Sequence, residues 1–422
     1  MAKSYREWWT MDNPFRYGSA VSAPYFVDRE QEMADLEIDM RSGQNVVIIS
    51  PRRYGKTSLI LAVVERLRTQ GVSVAYLDLM PCSSKALLAD KLATALYGEL
   101  VGFKDRALHR VQEFFGSASL RPTITIGPDG APSVELGAGE RSRDVDVTLA
   151  RLLELPGKIA NDRGKKIVLV LDEFQEAPAI DPNLPALIRS VWQMQQDVSH
   201  VFSGSKRHMM QRLFTHQNEP MYRMAKPVIL DPIDAGTFAA YIRDRFAATA
   251  RKLTDAAVSR ILEITDCHPH DTQELASFAW GLAVTEQTVA SSELVDRALD
   301  RVLKAENARY TEIWSRLTPH QRLVLGALVV SGGASAIYSE SYRRRYRLGA
   351  ASSVSRSLKA LLRDDLVEET SPGEYKVRDT YLRAWLARLT AASTALTSQT
   401  SDTITVAEMV AAEIELPPER KM

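Results

Sequence analysis

The chain has 422 residues, enough for two or three domains that each bury a core. Its 53 basic and 53 acidic residues balance, so no overall field draws the protein to nucleic acid or anionic lipid, and any such surface must be local. Two cysteines make no disulfide framework, the N-terminus lacks the apolar core of a signal peptide, and no apolar run is long enough to span a bilayer. We therefore expect a soluble, cytoplasmic protein without a membrane partner.

The first half of the chain alternates apolar strands with amphipathic helices. Residues 1–28 are aromatic and proline-bearing without clean periodicity, which predicts an extended arm. Strands are predicted at "NVVIIS", "VSVAYLDL", "KKIVLVLDEF", "SHVFSGS" and "KPVIL", and the strand–helix–strand spacing indicates crossover units. We thus predict an α/β domain with a parallel sheet over residues 29–233. It includes two helices between about 84 and 115, and alternation around a Gly-Pro-Asp-Gly turn predicts a hairpin insertion at about 116–145.

The second half is predicted to be helical and then mixed. Residues 234–312 have helical periodicity throughout, as expected of a helical lid domain. From 313 to 390 the order helix, turn, helix and hairpin predicts a winged helix. Residues 391–422 are rich in serine and threonine and then acidic, which predicts a flexible tail.

The segment "SPRRYGKTSL" lies between a predicted strand and a predicted helix. It matches the phosphate-binding pattern of a glycine, four residues and Gly-Lys-Ser/Thr, except that Ser50 stands where the first glycine is expected. The pattern works because backbone amides at a helix N-terminus point into one concavity that favours phosphates. Serine is small enough for this turn, so we predict an intact P-loop. The residues predicted to bind ATP are Ser50, Pro51, Arg52, Arg53, Tyr54, Gly55, Lys56, Thr57 and Ser58.

A second motif ends the strand "IVLVLD" with Asp172 and Glu173. Two acids at the end of an apolar run are costly to leave unpaired, so an adjacent cation is expected. In P-loop ATPases the first acid holds Mg²⁺ and the second polarises the attacking water. We predict that Thr57 and Asp172 hold Mg²⁺, and that Lys56 reaches the β- and γ-phosphates. With Glu173 as the catalytic acid–base group, the motifs predict a slow ATPase whose cofactors are ATP and Mg²⁺.

Six segments in chain order carry a family resemblance: "FVDREQEMADL", "PRRYGKTSL", "LVLDEFQ", "FSGSKRHMM", "YRMAKPVILDPI" and "CHPHDTQELA". Together they resemble the archaeal-type AAA+-like ATPases, a STAND-related branch of the P-loop NTPases. The resemblance implies an AAA+-like P-loop NTPase domain with a helical lid and a C-terminal winged helix. It implies that Arg29 lies near the nucleotide, that Ser205 senses the γ-phosphate and that Arg223 acts on it. It also implies a lid motif at His268 and Pro269 that contacts the nucleotide.

The predicted winged helix has a local basic excess. Residues 319–390 contain 12 Lys/Arg and 7 Asp/Glu, which favours contact with double-stranded DNA. Three glutamates of the predicted wing would face the DNA backbone, which favours a protein partner instead. Both partners therefore stay open. The residues predicted to contact DNA are Arg343, Arg344, Arg345, Ser353, Arg356 and Lys359.

Three functions follow from these observations. The first is an ATPase switch, in which MgATP controls the arrangement of the lid and winged helix and the assembly of a homo-oligomer. The second is a DNA-binding AAA+-type protein that resembles origin-binding initiators and hydrolyses ATP slowly. The third is a nucleotide-binding scaffold for protein partners, with Ser50 as a first sign of decay.

Overall fold

A computed structural model describes residues 12–20, 25–98, 122–126, 132–136 and 142–397. The chain divides into two compact units. The sheet unit comprises residues 18–233, and the helical unit comprises residues 1–17 and 234–422. Among the described helices, none combines the length and the apolar character needed to cross a membrane.

Some predicted segments lie outside the described residues. These are residues 1–11 and 21–24 of the arm, the second helix expected before 115, the turn of the hairpin insertion, and the tail from 398 onward.

Five strands of the sheet unit form one parallel sheet. The described strands of the unit, including a separate pair, are β1 Val46–Ile49, β2 Ser73–Asp78, β3 Pro122–Ile126, β4 Pro132–Leu136, β5 Ile167–Asp172, β6 Val198–Gly204 and β7 Lys226–Ile229. The parallel order is β2-β5-β6-β1-β7, while β3 and β4 pair antiparallel with each other. The five apolar runs predicted as strands thus all join the sheet, which confirms the α/β class. β6 lies between β1, which leads into the predicted P-loop, and β5, which ends in Asp172, so β1 and β5 are second neighbours in the sheet.

Helices cover both faces of this sheet. They are α1 Glu30–Ser42, α2 Lys56–Thr69, α3 Lys85–Leu96, α4 Ser142–Arg163, α5 Ala177–Ile180, α6 Leu184–Trp192 and α7 Arg207–Thr215. Successive residues of a strand point to opposite faces. Along β1, Val46 and Ile48 therefore join a core with α1 and α2, whereas Val47 and Ile49 join a core with α3, α4, α6 and α7. Both faces are buried, which explains the continuous apolar runs in the sequence.

The helical unit contains the winged helix. Its elements are α8 Ala235–Ala248, α9 Asp255–Thr265, α10 Pro269–Thr285, α11 Ser292–Arg316, α12 Pro319–Ser331, α13 Glu340–Arg345, α14 Ala351–Arg363, β8 Val367–Ser371, β9 Glu374–Val377 and α15 Thr380–Thr397. A capping box at Thr318 begins α12, which packs against α14 and β9. The hairpin β8–β9 forms the wing, and the predicted winged helix is confirmed. The last helix continues past residue 390, where the predicted tail begins.

Part of the predicted arm belongs to the helical unit. Phe15 is 4% exposed, and its ring lies 6.2 Å from that of Tyr241 and 5.7 Å from that of Phe246 on α8. The amide of Asn13 donates to the hydroxyl of Ser277 on α10 at 2.8 Å. These residues thus fix the arm to α8 and α10.

Candidate functional site

Residues 50–55 form the loop that leads from β1 into α2. Two left-handed residues, Arg53 (φ 68°) and Gly55 (φ 83°), curl its backbone. A Cβ added to Gly55 would meet no atom within 4 Å, so this position favours glycine for its backbone angle rather than for space. α2 begins at the end of this loop, and the backbone amides and positive dipole end of a helix N-terminus are a common setting for a bound anion.

The loop encloses a buried cation next to Ser50. The ammonium of Lys56 donates to the carbonyl oxygens of Ser50 at 3.3 Å and Pro51 at 2.9 Å, and the residue is only 5% exposed. Ser50 is fully buried, and its hydroxyl donates to the carbonyl of Pro51 at 3.3 Å. Because a buried ammonium is costly unless it is paired, the loop carbonyls partly offset its lost hydration.

Asp172 closes β5 and is 4% exposed. Its Oδ2 accepts hydrogen bonds from the hydroxyls of Tyr76 at 2.6 Å and Thr57 at 3.1 Å. Its Oδ1 accepts from the backbone N–H of Glu173 at 3.0 Å. Burial, followed by the neighbouring Asp172, raises the pKa of Tyr76 well above its usual value, so Tyr76 stays a hydrogen-bond donor. All three donors are neutral, and their dipoles stabilise this carboxylate.

Glu173 links the end of β5 to the end of β6. Its Oε2 accepts from the hydroxyl of Ser205 at 2.8 Å and from the side-chain amide of Gln175. Gln175 is 1% exposed, and its own Oε1 accepts from the backbone N–H of Ser205 at 3.2 Å. A Cβ on Gly204 would lie 2.4 Å from this Oε1, so the absence of a side chain at Gly204 lets Gln175 approach. Glu173 itself has a left-handed backbone (φ 53°).

A third acid stands at the same edge of the sheet. Asp78 ends β2 directly opposite Asp172 in the strand register. Burial raises the pKa of Asp78, the backbone N–H of Met80 lowers it, the charges of Asp172 and Glu173 raise it, and the charge of Lys91 lowers it, for a net increase. A divalent cation would relieve this mutual repulsion. Thr57 and Asp172 offer the oxygen ligands that Mg²⁺ prefers, so the residues present fit the predicted ion.

Arg29 is buried and already hydrogen-bonded within the sheet unit. Its guanidinium donates to Glu32 at 2.8 Å and to the backbone carbonyl of Asp231, and the residue is 5% exposed. It thereby ties the start of α1 to the segment that follows β7.

The other predicted residues of the sheet unit differ in exposure. Arg52 and Arg53 are exposed, Tyr54 is half-buried and Ser58 is buried at the start of α2. Arg223 is also exposed, and its guanidinium lies over the ring of Tyr222 at 5.2 Å from the centroid. The structure thus gathers Lys56, Thr57, Asp172, Glu173 and Ser205 by hydrogen bonds at the carboxyl edge of the sheet and leaves these arginines at the surface.

His268 and Pro269 lie in the helical unit, where they begin α10. His268 is the N-cap, and its Nδ1 lies 3.3 Å from both the backbone N and the Oδ1 of Asp271. Asp271 also receives the hydroxyl of Thr380 at 2.6 Å and faces Nδ1 of His270 at 3.1 Å. Burial alone would raise the pKa of Asp271, but these partners hold it far below its usual range.

The six predicted DNA contacts divide into two groups. On α13, Arg343 donates to the carbonyls of Tyr338 at 3.0 Å and Gly349 at 2.7 Å. Also on α13, Arg344 pairs with Glu340 at 2.6 Å, and Arg345 lies over the ring of Tyr346 at 5.5 Å. Arg343 is therefore held by the backbone of the winged helix, whereas Arg344 and Arg345 are exposed.

The predicted residues on α14 also reach the surface. Arg356 and Lys359 are exposed, and Ser353 is half-buried. Val354 and Leu358 on the same helix are buried in the core. The basic side chains of α14 thus lie on its solvent face.

Sequence analysis did not identify Tyr76, Asp78 and Gln175 as members of this site. A signal was present for the first two, because residues two apart share one face of a strand and both come at the carboxyl end of "VSVAYLDL". Gln175 follows the acid motif directly, but its contact with Ser205 depends on how β5 and β6 pair.

Comparisons with known proteins give the family and the fold. The family described as "ATPase domain predominantly from Archaea" matches residues 26–275, more than half of the chain, and a probable winged helix domain matches residues 308–388. A Walker-type ATPase of Pyrococcus abyssi is 16% identical with a TM-score of 0.59, over 89% of this chain and 99% of that one. The ORC2 protein of Aeropyrum pernix, solved as ADPNP–ADP complexes, is 14% identical with a TM-score of 0.51, over 90% and 99%. No curated protein matches the sequence significantly.

Proposed function

Because the chain belongs to the family of ATPase domains found predominantly in Archaea, we propose that it is a slow ATPase that acts as a molecular switch. ATP with Mg²⁺ would bind at residues 50–58, and the nucleotide state would control the lid and the winged helix. Family and fold support ATP binding and ATPase activity in general terms.

One contact carries the proposal, the hydrogen bond of 3.1 Å between Thr57 and Asp172. It joins the residue after Lys56 to the last residue of β5, although the two are 115 positions apart in the sequence. Thr57 gives its proton to Asp172, so the lone pairs of its hydroxyl remain available to a cation. Bound Mg²⁺ would neutralise charge on the β- and γ-phosphates. Lys56 would exchange its loop carbonyls for phosphate oxygens.

Glu173 and Ser205 are proposed to act on the attacking water and the γ-phosphate. Their hydrogen bond of 2.8 Å supports a shared task, since the serine hydroxyl is held at the carboxylate that would receive the proton of water. Arg29, His268 and Pro269 complete the proposed nucleotide contacts on the strength of the family resemblance. Arg223 is exposed, which suits an arginine that reaches the nucleotide of a neighbouring subunit in a homo-oligomer.

The Glu173→Gln substitution tests the mechanism. We expect ATP binding to be retained and hydrolysis to fall by on the order of 10²-fold or more, because the amide cannot accept the proton. Steady-state phosphate release and an equilibrium ATP titration measure the two effects separately. Glu154→Gln is the matched control, since Glu154 lies on α4 with its side chain 47% exposed and pairs with the surface residue Lys158. Equal turnover in wild type and Glu173→Gln would end the proposed mechanism.

A second function, binding of double-stranded DNA, is favoured by the exposed Arg356 and Lys359 on α14. In a winged helix the corresponding helix can enter the major groove. Arg343 is bound to two backbone carbonyls, whereas Arg344 and Arg345 are exposed and stay among the proposed DNA contacts. If DNA is the partner, the nucleotide switch would govern when this helix is presented.

Replacing Arg356 and Lys359 together with alanine tests this function. We expect duplex binding to weaken and the slope of log affinity against log salt to fall by about 1 for each phosphate that the variant no longer neutralises. The charge-matched control is the pair Lys304→Ala and Arg316→Ala on α11, which should leave binding unchanged. If the wild type does not bind duplex DNA at low salt, the winged helix is better assigned to a protein partner.

A further inference from the structure

Tyr76 donates a short hydrogen bond of 2.6 Å to Asp172. It does so from β2, which pairs directly with β5 in the sheet. Neither the loop nor the acid motif contains Tyr76. Its hydroxyl nevertheless meets Oδ2, the same oxygen that receives Thr57.

We propose that Tyr76 is a positioning residue of the Mg²⁺ site, which acts by fixing the carboxylate of Asp172. This inference rests on the proposed function, because it concerns the same ion. Tyr76 would not touch the ion or the nucleotide. It would determine which oxygen of Asp172 faces Thr57 and which remains open to the ion or its water.

The hydrogen bonds that Asp172 accepts support this role. An ionised carboxylate has about four acceptor positions, two on each oxygen. The hydroxyls of Tyr76 and Thr57 occupy those of Oδ2, and the backbone N–H of Glu173 occupies one of Oδ1. Among the described residues, none donates to the second position on Oδ1. Loss of the Tyr76 hydroxyl would free a position on Oδ2 and let the carboxylate rotate away from this arrangement.

The ring and the hydroxyl of Tyr76 have separable tasks. The ring packs against the apolar cluster formed by α1, α2 and the strands, so it contributes to the core. The hydroxyl lies at the polar edge of the sheet, at Asp172. Tyr76→Phe therefore keeps the packing and removes only the hydroxyl on which the proposed positioning role depends.

The experiment measures binding of ADPNP, a slowly hydrolysed ATP analogue, by calorimetry to the full chain, once in excess EDTA and once in excess Mg²⁺. The Kd in EDTA divided by the Kd in Mg²⁺ gives the factor by which the ion raises the affinity for ADPNP. We expect Tyr76→Phe to bind ADPNP in EDTA within about twofold of wild type and to lower the ratio by roughly tenfold, the usual effect of losing a partner of a metal ligand. Tyr241→Phe is the matched control, because its hydroxyl bonds to Gln273 in the helical unit.

A double-mutant cycle tests whether Tyr76 acts through Asp172. In an Asp172→Asn background, Tyr76→Phe should change the ratio by less than about twofold. An unchanged ratio in the single variant overturns the inference, as does an equal loss in EDTA and Mg²⁺, which would indicate a structural role. If Mg²⁺ adds nothing to wild-type affinity, the proposed function fails first and this inference fails with it.

Discussion

Asp172 in the sheet unit and Asp266 in the helical unit are two carboxylates with opposite surroundings. Asp172 is almost fully buried and receives two hydroxyls and one backbone amide. Asp266 is partly exposed, and its Oδ2 pairs with Arg383 at 2.6 Å and Lys376 at 2.7 Å. Burial raises the pKa of Asp266, but Arg383 and Lys376 lower it below its ordinary value.

The difference separates the proposed Mg²⁺ site from a structural link. A carboxylate that already has its cations holds elements together, here the end of α9 to β9 and α15. A buried carboxylate with neutral donors retains a charge that an incoming cation would compensate. Acidic side chains are therefore best sorted by the charge of their partners rather than by burial alone.

Asp172→Asn gives the largest expected effect and tests the sheet-unit side of the comparison. ATP hydrolysis should fall by on the order of 10²-fold or more, because the neutral amide no longer attracts Mg²⁺. The unfolding free energy without nucleotide should stay within about 1 kcal/mol of wild type, since one misplaced amide donor is offset by loss of a buried charge. Phosphate release and thermal unfolding measure the two quantities. A variant that hydrolyses ATP normally but melts early would place Asp172 among structural residues.

Asp266→Asn should show the reverse pattern with a smaller effect. Removing the charge leaves Arg383 and Lys376 without their carboxylate and should lower the unfolding free energy by about 1–2 kcal/mol. The loss of unfolding free energy should be no larger because the side chain of Asp266 is 39% exposed and water screens its ion pairs. Thermal unfolding of the full chain measures the change, and Asp255→Asn, an exposed acid paired with Arg243, is the matched control. Stability equal to wild type would remove the distinction between the two carboxylates.

Local motifs allowed much of the sheet unit to be predicted. The loop residues from Ser50 to Thr57 are contiguous in sequence, as are the acids Asp172 and Glu173, so both motifs can be identified without the fold. The five strands could be predicted because both faces of the sheet are buried, which produces uninterrupted apolar runs in the sequence.

Contacts between distant segments could not be predicted in this way. Tyr76 reaches Asp172 only because β2 pairs with β5, and Lys376 reaches Asp266 across 110 residues. The arginines of α13 and α14 look alike as sequence, yet Arg343 is bound to two backbone carbonyls and Arg356 is on a solvent face. Side-chain partners that depend on strand order and helix packing are the part that required the structure.

The smallest expected effect is a pH dependence of the free energy of unfolding, which the Asp266→Asn substitution should remove. The pKa of Asp266 is lower in the folded chain than in the unfolded chain, where it is about 3.9. The ionised carboxylate therefore contributes fully to the free energy of unfolding above about pH 3.9, and this contribution is lost as the pH falls through the pKa of the folded chain. The stability difference between wild type and Asp266→Asn should therefore be constant near neutral pH and shrink below about pH 4. Thermal unfolding of both chains between pH 3 and pH 7 measures it. If the stability difference between wild type and Asp266→Asn is the same at pH 3 as at pH 7, the ion pairs contribute nothing to stability and the asparagine destabilises the fold for steric reasons. Asp266 would then no longer be a structural ion pair with which Asp172 can be contrasted.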